Sequence, residues 1–146
     1  MTARRRRSGA GRDAGSSSVE LVVLVPALLG FVALVLTGGR LALATQAVEH
    51  AAATAARAAS SARAAGEAGP AATDVARTTL ADSPCGSTST TVAAGGFAAA
   101  PGVPATVTAT VTCTVALSDL GVPGVPGSHV ISRSATSPLD TYRERT

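Results

Sequence analysis

The sequence predicts an α+β chain. One N-terminal transmembrane helix continues as a long amphipathic helix, followed by a short helix and a small antiparallel β-sheet. Three observations carry that prediction. Leu21 to Leu36 is a sixteen-residue run without a charge. Leu41 to Ala65 is dominated by alanine, the best intrinsic helix former. Thr106 to Leu117 alternates Thr with apolar residues, the period-2 signature of a half-buried strand.

Residues 1–15 are rich in Arg, Gly, Ser and Ala and lack apolar periodicity, so they read as a disordered leader. Arg4, Arg5, Arg6, Arg7 and Arg12 against Asp13 place +4 of side-chain charge in the first thirteen residues. The remainder carries seven Arg against eight acids. The basic character therefore belongs to a tail and not to a nucleic-acid-binding face, and no nucleic-acid partner is expected. A basic tail ahead of an apolar run reads as a cytoplasmic flank.

The apolar run, with Val19 before it and Thr37-Gly38-Gly39 after it, approaches the roughly 20 residues that cross a bilayer. Arg40 can snorkel to the far interface. Beyond it, Leu41, Ala44, Val48, Ala52, Ala55, Ala59 and Ala62 form a stripe at helical spacing. His50, Thr54, Arg57 and Ser61 line the opposite side. The apolar side is made of small residues, which suits close approach by another helix. Gly66-Glu67-Ala68-Gly69-Pro70 is expected to stop this helix.

Ala71 to Ala81 reads as the second helix, with Thr73 as its candidate N-cap. Asp82-Ser83-Pro84-Cys85-Gly86 is a turn, after which the period changes to 2. Ser87 to Ala93 is the first strand, Ala94 to Pro104 a loop, and Thr106 to Leu117 the second strand. In that second strand Val107, Ala109, Val111, Cys113, Val115 and Leu117 share the core face. Residues 121–127 are a Gly/Pro-rich loop, and His129 to Thr136 is the third strand.

These elements suggest four regions: a basic leader at 1–15, a transmembrane helix at 16–40, its amphipathic extension at 41–66, and a small extracytoplasmic α+β domain at 67–146. Cys85 and Cys113 both follow the apolar run. Across a membrane they would meet an oxidising compartment, where a Cys85–Cys113 disulfide is the default. Two reduced, buried thiols are the alternative. Neither metal-ligand spacing nor a catalytic constellation is present. The chain has no phosphate loop, G-x-S-x-G or H-E-x-x-H. His50 beside Glu49 reads as a solvated helix face. With only Phe31, Phe97 and Tyr142 as aromatics, an aromatic-lined pocket is not expected either. No enzymatic activity, cofactor or metal is predicted.

One residue remains unexplained: Glu20, a carboxylate immediately before the apolar run. An ionised carboxylate is costly in a membrane helix, though less so near its end. If Gly15 is position −1 and Ser16 position +1, Glu20 stands at +5. A basic leader, a glycine, and an apolar helix with glutamate as its fifth residue resemble the class III signal of type IV pilins and pseudopilins. The stretch "SSVELVVLVPALLGFVAL" is similar to the opening helix of TadE-like pseudopilins. It has Val19-Glu20 and then a proline six residues on, Pro26. Gly39-Arg40 resembles the family's Gly-Arg at the helix exit. Ala52 to Arg57 resembles the last six positions of its Ala-Ala-x-x-Ala-Ala-Arg pattern, with the final arginine at Arg57. Two positions depart from the family: Thr37 stands where an acid is frequent, and Ser16 where many true pilins carry an aromatic residue.

The resemblance implies cleavage between Gly15 and Ser16 by a prepilin peptidase. It implies assembly with other pilin-like subunits on a membrane assembly platform, in a tight-adherence (Flp-type) pilus or related secretion machine. It places the chain in the cytoplasmic membrane as a single-pass protein, N-terminus cytoplasmic and C-terminal domain extracytoplasmic. The chemistry of the residues fits that expectation. Cleavage would leave an ammonium on Ser16, and the Glu20 carboxylate could pair with a neighbouring subunit's ammonium. Such a pair would set register between helices, as buried polar residues do in coiled coils. Pro26 removes one helical hydrogen bond and permits a kink. Two other readings stay open. Ala42-Leu43-Ala44 fits a Sec cleavage site, which would release a soluble binding domain starting at Thr45. A signal-anchored envelope protein without a pilus role would merely tolerate Glu20.

Overall fold

The computed structural model describes residues 14–116, 118 and 127–142, with side chains from Glu20 onward. The leader through Asp13, Leu117, the stretch 119–126 and the tail at 143–146 fall outside the described residues. The elements in chain order are α1 (Ala14–Ser61), α2 (Ala65–Thr79), β1 (Ser87–Ala93), β2 (Thr106–Ala116) and β3 (Ser128–Pro138). This is the α+β arrangement expected from the sequence. The chain divides into two units between Leu36 and Thr37.

The first unit contains the beginning of α1. Its large apolar side chains, from Leu21 to Leu36, are all exposed, and no charge follows Glu20 within it. α1 carries Pro26 inside its helical span. Proline has no N–H to offer the carbonyl four residues earlier.

The second unit contains the rest of the chain and one hydrophobic core. The remainder of α1 contributes Ala44, Val48, Ala51, Ala52, Ala55, Ala56 and Ala59, all buried. α2 adds Ala68, Ala72 and Ala76, and the turn after it adds Leu80. β2 supplies Val107, Ala109, Val111, Cys113 and Val115, each with no exposed surface. The small-residue stripe of α1, which on sequence suited another helix, is thus covered inside its own chain. Two polar links tie α1 to its neighbours. The Thr54 and Thr79 hydroxyls lie 3.4 Å apart, and the Ser60 and Ser137 hydroxyls 3.0 Å apart.

The boundary between α1 and α2 differs from the sequence expectation. α1 ends at Ser61, not at Gly66. Its last turn tightens as the Ala62 N–H donates to the Ala59 carbonyl, and the Ser61 hydroxyl donates to the Ala58 carbonyl. Carbonyls that lose their helical donors at a C-terminus are satisfied in this way. The Gly-Glu-Ala-Gly-Pro stretch lies within α2 instead of terminating α1. Glu67 sits in the first turn of α2 and accepts from the Arg63 N–H at 3.4 Å, favourable charge placement for a helix start. Pro70 is tolerated because Gly69 before it has no Cβ to meet the proline ring. Thr73 is not a cap; its hydroxyl donates to the Gly69 carbonyl within the helix.

The sheet has order β1-β2-β3, antiparallel throughout. β2 is central because it alone alternates over eleven residues, burying one face and half-exposing the other. On the outer face Thr108, Thr110 and Thr112 pair with Thr136, Ser134 and Ser132 of β3 at 2.9, 2.8 and 3.2 Å. Cross-strand hydroxyl pairs each contribute roughly 0.2–1 kcal/mol. β3 runs two residues beyond the expected end, to Pro138, because a proline at the end of an edge strand costs no ladder bond. The extension places Ser137 against Ser60, and the Leu139 N–H on the Ala105 carbonyl at 2.8 Å.

The expected loop after β1 includes a 3-10 turn, Gly95–Ala98, that brings Phe97 to the margin of the core. Gly96 is required there. A Cβ on it would lie 2.2 Å from the Thr106 carbonyl oxygen and 3.1 Å from Leu139 Cδ1. The first obstacle is backbone and cannot swing aside. Gly96→Ala is therefore expected to destabilise the folded unit by about 1–3 kcal/mol, the range for an overpacked site. Thermal unfolding of the full chain followed by circular dichroism checks this, with the exposed Gly95→Ala as control, since nothing lies within 4 Å of a Cβ there.

Candidate functional site

The residues that the sequence singles out do not converge on a pocket. Gly15, Ser16, Glu20 and Pro26 are strung along the first part of α1, and Arg40 follows further along the same helix. Gly15 and Ser16 occupy its first helical turn. Presentation of that peptide bond to a peptidase would require the turn to unwind.

Glu20 is exposed, and so are the large apolar residues that follow it. Among the described residues α1 is the one helix long and apolar enough to cross a membrane, and none of its most apolar stretch is buried. A surface this apolar, without cover from its own chain, demands an apolar environment. A site laid out in a line can be read only by something running beside it, whether lipid, a peptidase or another helix.

Residues 15–57 match the family model of TadE-like proteins. Over this segment the chain is similar to TadE-like proteins. The match spans Gly15, Glu20, Pro26, Gly39-Arg40 and the Ala52 to Arg57 pattern, so the family resemblance holds for the helix that carries every one of these residues. It stops before α2 and the sheet. No curated protein and no solved structure matches the chain.

The TadE-like helix changes character along its length. Up to Leu36 its apolar side chains face outward, whereas from Ala44 to Ala59 seven of its residues are buried in the core. Arg57, the last matched residue, is exposed, as are Glu49 and His50. Among the described residues no group of three His, Cys, Asp or Glu is placed to hold a metal ion.

Two cysteines that are 28 residues apart in sequence do converge. Cys85 and Cys113 form a disulfide, with 5.5 Å between their Cα atoms. It joins the turn after α2 to the centre of β2, beside the Gly86 N–H that donates to the Thr114 carbonyl at 2.8 Å.

One feature of the second unit was not legible in the sequence. A groove of about 380 Å³ is lined by Arg40, Leu43, Ala44 and Ala47 of the TadE-like helix and by Asp82, Ser83 and Pro84. Asp82 to Pro84 read as an ordinary turn. Only the tertiary fold brings it against residues some forty positions earlier.

Proposed function

We propose that this chain is a membrane-anchored TadE-like pseudopilin or minor pilin that acts in assembly of a Flp-type pilus or a related secretion apparatus. The observation that carries the reading is the family match over residues 15–57, which starts at the glycine of the cleavage motif and includes Glu20 and Pro26. A prepilin peptidase removes residues 1–15. The helix from Ser16 to Arg40 stays in the cytoplasmic membrane, with the basic flank inside and the second unit outside. The new Ser16 ammonium and Glu20 then supply opposite charges at the head of the helix, the register signal for pilin-like neighbours. Pro26 provides a bend where neighbouring helices must accommodate one another. The chain acts by assembly and carries out no catalysis.

The packing of Leu41 and Ala44 favours this reading over Sec cleavage after Ala44. That cut would detach Leu41 and Ala44, which pack in or against the core. The deciding measurement is the N-terminal residue of the mature protein, by intact mass and terminal peptide sequencing of membrane and surface fractions. The expected chain begins at Ser16. A chain beginning at Thr45, or one retaining Met1 or Thr2 in cells that contain the peptidase, overturns the proposal.

A further inference from the structure

We infer that the outer edge of β1 accepts one extended, uncharged strand from a different chain, a strand in which Thr or Ser alternates with Val or Ala. The sheet has two edge strands, β1 and β3. The direction of their backbone groups follows from one hydrogen bond. The Thr114 carbonyl accepts the Gly86 N–H at 2.8 Å, so Thr114 faces β1. Residues two apart on a strand face the same way, so Thr108, Thr110 and Thr112 face β1 as well. Their partners Ala93, Thr91 and Ser89, with Ser87 opposite Thr114, point back at β2. Thr88, Thr90 and Val92 then turn their N–H and C=O groups away from the sheet. Among the described residues no hydrogen-bond partner meets these groups. Five of the seven residues of β1 are exposed, so no helix covers the strand.

The two edges are built differently. A free edge invites pairing with other chains, and natural sheets blunt theirs with charged residues or proline. β3 carries both devices. Ser132 lies opposite Thr112, which faces β1, so the Ser132 carbonyl points outward. The Arg133 guanidinium donates to that carbonyl at 2.9 Å. Arg133 stands opposite the core residue Val111 yet is exposed, an inward-facing charge beside the edge. Pro138 closes the strand. β1, Ser-Thr-Ser-Thr-Thr-Val-Ala, has no charge, proline or glycine. One edge is closed to strands and the other is left open.

The side chains of β1 select the partner. Ser89 and Thr91 share the outer hydroxyl face with Thr112 and Thr110, whereas Thr90 and Val92 lie on the inner side and are half-buried. A strand laid beside β1 continues both faces when its hydroxyls fall next to Ser89 and Thr91 and its small apolar residues next to Thr90 and Val92. Cross-strand hydroxyl pairs of this kind already join β2 to β3. A second copy of the chain offers β3, which is closed, or β1. Pairing β1 with β1 about a two-fold axis through the sheet reverses the buried stretch of α1, Ala44 to Ala59, in one copy relative to the other. Chains anchored in one membrane keep those stretches parallel. The choice of a different chain therefore rests on the membrane-anchored reading, whereas the open edge does not.

The test uses the full-length chain in detergent micelles and a synthetic peptide of the β2 sequence, Thr106–Ala116, carrying Cys113→Ser. Its control has the same residues in an order that breaks the alternation. Amide hydrogen exchange read by NMR is expected to slow by about tenfold or more at Thr88, Thr90 and Val92 when the alternating peptide is added. The control peptide should leave it unchanged. Thr90→Pro removes one outward N–H and no ladder bond. It should weaken peptide binding about tenfold, the loss of roughly one hydrogen bond. Circular dichroism verifies that this variant is folded, and Thr88→Pro, at an exposed position, replaces it if it is not. Arg133→Ala, on the other edge, should leave protection at β1 as it is. No protection at β1, equal protection by the control peptide, or protection of β3 in its place overturns the inference. Protection of β1 that rises with protein concentration, without peptide, gives the edge to a second copy and overturns the choice of partner. Binding in micelles depends on neither cleavage nor anchoring, so the N-terminal residue of the mature chain decides the anchored reading separately.

Discussion

Glu20→Ala is expected to leave the chain in the membrane and cut after Gly15, yet to reduce its recovery with other pilin-like subunits by tenfold or more. The argument starts from cost. A carboxylate at the centre of a membrane helix costs on the order of 2.5–3.5 kcal/mol on insertion scales, and somewhat less near the end. Glu20 is exposed, at the head of an apolar surface that its own chain leaves uncovered. Alanine at that position would insert more easily, so anchoring alone gives no reason for the acid. Processing gives little reason either, since the proposed cleavage point lies four residues earlier. Pairing with a positive charge in an adjacent helix is the remaining use. Losing one such charge-assisted contact, at about 1.4 kcal/mol or more, is a tenfold or larger change in association.

Co-purification from detergent-solubilised membranes measures the effect, in cells that make the remaining subunits. Glu20→Gln separates charge from shape: it keeps the length and polarity of the side chain and is expected to assemble nearly as poorly as alanine. Glu20→Asp, which keeps the charge on a shorter stem, should recover part of the loss. Unchanged recovery for the alanine variant would leave Glu20 a tolerated polar residue on an ordinary anchor. An uncut chain would instead place Glu20 in recognition by the peptidase.

Much of this architecture is legible in the sequence, because the elements are governed by local patterns. The threonine alternation of β2 fixes which side of the strand is buried, and Val107 to Val115 are buried as that pattern requires. The charge-free run fixes where α1 is apolar on all sides. The sequence misleads at Gly66 to Pro70, where the rule that Gly and Pro end helices competes with tertiary packing. Ala68, Ala72 and Ala76 lie on one face of α2 and are buried in the core. Starting that helix at Ala65 brings Ala68 onto the same buried face as Ala72 and Ala76. The partner of the alanine stripe is a second case. Small residues announce that something approaches closely, but composition does not say whether it comes from the same chain. The candidate site divides in the same way. Its linear part, from Gly15 to Arg57, is readable because spacing along one helix is its whole geometry. The groove is not, since Asp82 and Arg40 become neighbours only once the chain has folded.

Breaking the Cys85–Cys113 bridge is expected to cost the second unit most of its margin of stability. Of its eighteen buried apolar residues among those described, ten are alanines. Each contributes only the burial of a methyl group, at about 0.8 kcal/mol. Such a core leaves a margin near the lower end of the roughly 5–15 kcal/mol found for domains. A cross-link over a sequence separation of 28 removes about 3–4 kcal/mol of loop entropy from the unfolded chain. Reduction should therefore lower the unfolding temperature by on the order of 15 °C, taking several degrees per kcal/mol for a domain of this size. Dithiothreitol added to the wild-type chain reads the cross-link alone, because both sulfurs stay in place. Cys85→Ala should reproduce that shift, since Cys85 is only partly buried. Cys113→Ser should exceed it, because Cys113 has no exposed surface and lies between Val111 and Val115 on the inner face of β2. A serine hydroxyl there loses the bridge and also buries a polar group, at a further cost of about 1–3 kcal/mol when no partner is found. If reduction leaves the unfolding temperature unchanged, β1 and the Asp82–Pro84 turn are held by the ladder to β2 and by packing. The bridge would then be a passenger on a sheet stable without it.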